Sequence, residues 1–101
     1  MYAMTGKLTA QSGKRDALVE ILLRASEVVA QLPGCRAYIV NEDVADRTCV
    51  WIFEVWDDKA AHDASLKDER VKSLIAEAKP LMDGPPSGTE LKVVGGHGIN
   101  P

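Results

Sequence analysis

Glu54, Trp56 and His62 lie close together in a stretch where an apolar run meets a charged one: Trp51-Ile52-Phe53-Glu54-Val55-Trp56-Asp57-Asp58-Lys59-Ala60-Ala61-His62. Both tryptophans of the chain and one of its two histidines are here. A carboxylate inside an apolar strand must be hydrogen-bonded, paired or turned into a polar cavity, because burying it uncompensated is costly. His62 ionises near neutrality by its unperturbed pKa, which makes it the natural candidate for a base. Glu54 is then a carboxylate that orients a substrate or the histidine, and Trp56 or Trp51 supplies an aromatic wall. Tyr38 adds a hydroxyl that needs a partner if it is buried.

Each of these residues also has a purely structural reading. His62 can be a surface residue on a polar helix. Glu54 can pair with Arg36, since a hairpin centred near Val44 sets the two within cross-strand reach. Trp51, Phe53, Trp56 and Tyr38 can all be packing residues.

Other chemistry-bearing residues are less promising. Cys35 and Cys49 would start successive strands at opposite ends of a hairpin, roughly 20 Å apart at the usual rise per residue, too far for a disulfide. Both read as small buried apolar residues. The two cysteines and two histidines stand singly, without metal-ligand spacing, so no metal is expected. His97 lies in Gly95-Gly96-His97-Gly98, which follows a strand and opens no helix, so it reads as part of a flexible tail from about residue 95. Ser12-Gly13-Lys14 lacks the upstream glycine spacing of a phosphate loop.

The elements that must position these residues follow from periodicity. Tyr2 to Ala10 alternates as a strand, with Tyr2, Met4 and Leu8 on one side and Gly6 beside them, as if something approached closely there. Leu18, Ile21, Leu22, Ala25, Val28, Val29 and Leu32 recur at helical steps and predict a helix over 14–31, stopped by Pro33-Gly34. Residues 35–41 and the run around Trp51 predict a hairpin. Asp57 and Asp58 suit the start of a helix over 59–66, and Val71, Leu74, Ile75 and Ala78 mark one face of another. A loop at 83–88 leads to a last strand over 89–94. The order βαββαβ is the ferredoxin-like arrangement, an α+β fold with an antiparallel sheet. A sheet apolar on both faces needs a second cover, which a homodimer packed sheet against sheet provides.

At 101 residues and 46% hydrophobic composition the chain is expected to form one domain over its whole length. A net charge of −3 with scattered basic residues argues against a nucleic-acid partner. No apolar run approaches the roughly 20 residues of a membrane span, and the N-terminus lacks signal-peptide regions. No membrane partner is expected, and the location expected is cytoplasmic.

Three segments together resemble the antibiotic biosynthesis monooxygenase family: the first strand leading to Ser12-Gly13-Lys14-Arg15, Leu32-Pro33-Gly34-Cys35 before the second strand, and Phe53-Glu54-Val55-Trp56-Asp57-Asp58 opening the second helical region. The resemblance implies a dimeric α+β barrel and an oxygenase of quinol-like or polyketide-like aromatics that needs neither metal nor flavin. Such an enzyme draws its electrons from a substrate made electron-rich by losing a proton, so the protein supplies a base, desolvation and orientation. The histidine of many quinol-oxygenase-like members falls on Ser65, which places Ser65 in the expected substrate site, with His62 three residues earlier on about the same helical face. The three haem-pocket positions of the haem-degrading branch fall on Gly6, Ser65 and near Ile75, so that branch loses its residues. The other implied reading is a non-catalytic dimeric module of the same fold that binds a small aromatic or hydrophobic ligand.

Overall fold

The computed structural model describes residues 1–99. Strand β1 spans Tyr2–Thr9, helix α1 Arg15–Val29, β2 Cys35–Glu42, β3 Cys49–Trp56, α2 Lys59–Ser65, α3 Glu69–Ala78 and β4 Ser87–Lys92, with a 3₁₀ turn at Lys79–Leu81. The four strands form one antiparallel sheet in the order β2-β3-β1-β4. This is the ferredoxin-like α+β architecture.

Alternation sorts each strand into two faces. The registers align Tyr2 with Trp56, Met4 with Glu54, and Leu8 with Val50, so these residues share the face that carries the helices. Leu18, Ile21, Leu22 and Ala25 of α1 and Leu74 and Ala78 of α3 pack there on Val50 and Ile52. A second cluster joins Tyr2, Val29, Trp56 and Val71 at the other end of the same layer. Helix α1 buries the predicted stripe, but it closes at Val29, before Pro33-Gly34. Gly34 has φ +84°, and a Cβ there would sit 2.7 Å from Ala61 Cβ, so only glycine lets the loop turn against α2.

Charge and capping shape the rest. Asp58 accepts from the Ala61 amide at the start of α2, while Asp57 pairs with Arg36 instead of capping. Asp68, which the periodicity did not single out, caps α3 through the Arg70 and Val71 amides. Ile75 departs from the predicted buried face of α3 and is 48% exposed. Strand β4 lies two residues earlier than predicted, because β1 begins at Tyr2 and beyond it only the Val93 amide still bonds, to the Met1 carbonyl. Gly6 is not closely approached: a Cβ there would meet only the Ser87 carbonyl at 3.7 Å.

The hairpin is centred at Asp46 rather than near Val44, pairing Tyr38 with Glu54 and Glu42 with Val50. Asp43 accepts the Ala45 and Asp46 amides and Asp46 accepts that of Thr48, which builds a longer turn than the sequence pattern suggested. A bulge sets Arg36 between the positions opposite Val55 and Trp56, so Tyr38 and not Arg36 faces Glu54. Cys35 and Cys49 are free thiols, as the strand geometry predicted, although Cys35 is only half-buried. The turn-rich end of the chain carries His97 exposed after β4, and residues 100 and 101 of the expected tail lie outside the described residues. No helix among the described residues is long and apolar enough to cross a membrane.

Candidate active site

Glu54 takes its place from strand alternation: Val50, Ile52, Glu54 and Trp56 point to the helix side, and Trp51, Phe53 and Val55 to the other. On the helix side Trp56 is fully buried, and its indole Nε1 donates to Glu54 Oε1 at 3.0 Å. That bond orients the carboxylate and satisfies one of its oxygens. Burial raises the Glu54 pKa above the ordinary carboxylate value, with the Trp56 hydrogen bond and the charge of His62 pulling the other way. Tyr38, directly opposite on β2, has its hydroxyl pKa pushed up by burial first and by the Glu54 charge second.

These two side chains open onto a cavity of about 530 Å³ between the sheet and helices α1 and α3. Leu8, Ile21, Leu22, Val29, Val71 and Leu74 make its walls apolar, and Ser65 and Leu66 close one end. Ile75, Lys79, Met82 and the Gly84-Pro85-Pro86 loop form the rest of the rim. The volume falls within the range of small-molecule pockets, and an apolar body with few polar groups is their usual make-up. A shallower depression of about 460 Å³ lies on the far side of Ser65, among Pro33, Asp57, Asp58 and Asp68. It is lined mainly by surface residues and lacks a buried polar group other than Ser65.

The expected site residues therefore divide. Glu54, Tyr38 and Ser65 share the cavity wall, whereas His62, Trp56 and Trp51 are not among its lining residues. His62 is nevertheless buried, against the surface reading, beside the Glu54 partner Trp56. Its ring packs 5.2 Å from Tyr2 and 6.1 Å from Trp56, and Nδ1 lies 3.0 Å from Asp63 Oδ1. Ser65 spends its hydroxyl on the His62 carbonyl. The helical step between positions 62 and 65 thus turns the serine toward the cavity and the histidine toward Tyr2.

Trp51 lies on the opposite face of the sheet, under Lys7 Nζ at 5.6 Å, and its Nε1 donates to Asp43 Oδ2 at 2.9 Å. Its visible work is to hold the hairpin turn. Tyr2 entered the sequence reading only as an apolar-side strand residue, yet its hydroxyl is buried and without a hydrogen-bond partner among the described residues. Its place next to His62 depends on the β1–β3 register, which no local pattern reveals. The rim residues were missed for a similar reason, since the 83–88 segment reads only as a loop until it folds over the sheet. Among the described residues no group of three or more His, Cys, Asp or Glu side chains is gathered to hold a metal ion.

Comparisons with known proteins bear on this arrangement. The family model for antibiotic biosynthesis monooxygenase matches residues 1–77. A Chloroflexus aurantiacus structure named for this activity is 40% identical over 98% of both chains, with a TM-score of 0.88. One from Deinococcus radiodurans is 27% identical over 99% of this chain and 97% of its own, with a TM-score of 0.82. A Nitrosomonas europaea structure at 15% identity shares the fold, with a TM-score of 0.89 over 92% of this chain and 89% of its own. The search of curated proteins found no match. With the family model spanning most of the chain and Glu54 of the Glu-x-Trp segment in the wall of an apolar cavity, the chain belongs to the antibiotic biosynthesis monooxygenase family.

Proposed function

We propose that this protein is a cytoplasmic, homodimeric monooxygenase that works without metal or flavin on a quinol-like or polyketide-like aromatic. The observation that carries the reading is the apolar cavity with the Glu54 carboxylate and the Tyr38 hydroxyl in its wall. Glu54 is the base. Its raised pKa brings it closer to the pKa of a phenolic proton than an ordinary carboxylate, and its second oxygen accepts no hydrogen bond from the described residues. His62 is a positioning residue, buried against Tyr2 and Trp56 and held by Asp63, and its charge pulls the Glu54 pKa down.

In this scheme Glu54 takes the substrate's hydroxyl proton, and the electron-rich anion passes one electron to O₂. The two radicals combine into a peroxide that takes the proton back from Glu54; loss of the remaining C–H proton then breaks the O–O bond, leaving a carbonyl and releasing water, so one oxygen atom ends in each product. The apolar walls exclude water from the anion while it reacts. The open face of the sheet supports the dimer: Ile39 is 49%, Phe53 36% and Leu91 44% exposed there.

Oxygen uptake with a panel of quinols, naphthols and anthrones, with metal and flavin excluded, tests the activity. Turnover of at least one member that falls by about 10²–10⁴-fold in Glu54→Gln is the expected result. A second reading is a binding module that holds a small hydrophobic ligand without turning it over. Ser65, standing where many family members carry a histidine, favours it, and an inert panel would decide for it.

A further inference from the structure

Polar atoms in an apolar cavity are costly unless something satisfies them. Two such atoms make no hydrogen bond with described residues here; neither is sealed off, as the Tyr2 hydroxyl is, so both meet whatever fills the cavity. The Tyr38 hydroxyl makes no hydrogen bond with any described residue, and only one Glu54 oxygen is engaged, by Trp56. The other polar wall residues are differently disposed: Ser65 is committed to the His62 carbonyl, and Lys79 is exposed at the rim. Tyr38 and Glu54 face each other across β2 and β3, so their Cβ atoms are about 5 Å apart. An open donor thus stands beside an open acceptor, with hydrocarbon around both.

We propose that Tyr38 and Glu54 together read a hydroxyl set next to a carbonyl on an otherwise apolar ring, Glu54 accepting from the hydroxyl and Tyr38 donating to the carbonyl oxygen. The inference rests on the cavity being the ligand site and narrows the substrate class given above. It also assigns Tyr38 a share in the chemistry. When the ligand O–H bond breaks, the proton goes to the free Glu54 oxygen and the electron pair stays on the ligand, where conjugation carries charge to the carbonyl oxygen. Tyr38 donates to that oxygen and remains a donor throughout, because burial and the neighbouring carboxylate hold its own proton in place. A plain phenol would use Glu54 alone, and a plain ketone Tyr38 alone.

The test is equilibrium binding in oxygen-free buffer with three probes: 1-hydroxy-2-acetylnaphthalene, 1-naphthol and 2-acetylnaphthalene. Wild type should bind the hydroxyketone about tenfold tighter than either single-function probe, one hydrogen bond's worth. Tyr38→Phe should weaken the hydroxyketone and the acetylnaphthalene about tenfold and leave 1-naphthol unchanged. Glu54→Gln should weaken the hydroxyketone and 1-naphthol instead. Equal effects of Tyr38→Phe on all three probes, no effect on any, or no preference of wild type for the hydroxyketone overturns the proposal. Because no oxygen is present, the outcome is separate from the uptake assay: selective binding without turnover removes the oxygenase and keeps the pair, and turnover without selectivity does the reverse.

Discussion

Glu54 pays for its position in the cavity wall with a conflict between function and stability. Burial favours its protonated form, so the folded state holds the proton more tightly than the unfolded chain does. The consequence for stability has a definite sign: stability is highest below the unfolded carboxylate pKa and falls as pH rises through the raised folded value. Glu54→Gln, which keeps an acceptor for Trp56 and removes the charge, should therefore melt above wild type near pH 7, and the gap should close near pH 4. Thermal unfolding at the two pH values measures this, and a gap that does not depend on pH contradicts the assignment. The same shift predicts that kcat/KM rises with pH through an apparent pKa above that of an ordinary carboxylate. His62 lowers the Glu54 pKa by its charge, so His62→Ala should move that limb to higher pH while lowering the plateau by about tenfold or less. A loss of about 10²–10⁴-fold with the limb abolished would instead make His62 the base. At this scale the residue types were legible in the sequence and their roles were not. Glu54 stood out as a lone carboxylate among apolar neighbours, whereas the choice between His62 and Ser65 turned on a rotation within one short helix.

At the scale of elements, helices α1 and α3 have two jobs: they cover the sheet and also leave space between themselves and it. Leu18 is fully buried and is absent from the cavity wall, whereas Leu22 and Leu74 are buried but line the cavity. Truncation should reflect this difference, since the cost of a core deletion grows with the empty volume it adds to otherwise packed surroundings. Leu18→Ala should cost about 4–5 kcal/mol, and Leu74→Ala about 2–3 kcal/mol, because part of the Leu74 side chain already faces open space. Denaturant unfolding of the two variants gives the comparison, and an equal or reversed order would mean that the cavity is filled in solution. The helices themselves were readable from their apolar periodicity. Their closing points were less so, since α1 ends before its proline and β4 slides back to match the length of β1. The hairpin shift has the same character: Asp43 and Asp46 bond the turn amides and centre it at Asp46, which exchanges Arg36 for Tyr38 opposite Glu54.

The whole molecule presents one sheet face to its helices and the other, bearing Ile39, Phe53 and Leu91, to its surroundings. Under the homodimer proposal, sedimentation at micromolar concentration should give twice the 10.9 kDa chain mass. Phe53→Glu, which puts a charge at the middle of that face, should shift the species toward monomer without changing the helical content seen by circular dichroism. A wild-type monomer under those conditions would remove the dimer from the reading. Periodicity was sufficient for the α+β order, because burial demands repeat along the chain with the period of each element, and the family was legible through the resemblance of three short segments. The segment around Glu54 and Trp56 likewise stood out as a candidate site by its own chemistry. What only the tertiary structure decided was which polar residues meet. Tyr38 faces Glu54 through a hairpin register set by turn hydrogen bonds, His62 rests on Tyr2 through the pairing of β1 with β3, and Trp51 is placed behind the sheet by alternation within β3. Register and helix rotation depend on long-range pairing, and a shift of one or two positions there exchanges the neighbours of every side chain while leaving the local sequence pattern unchanged.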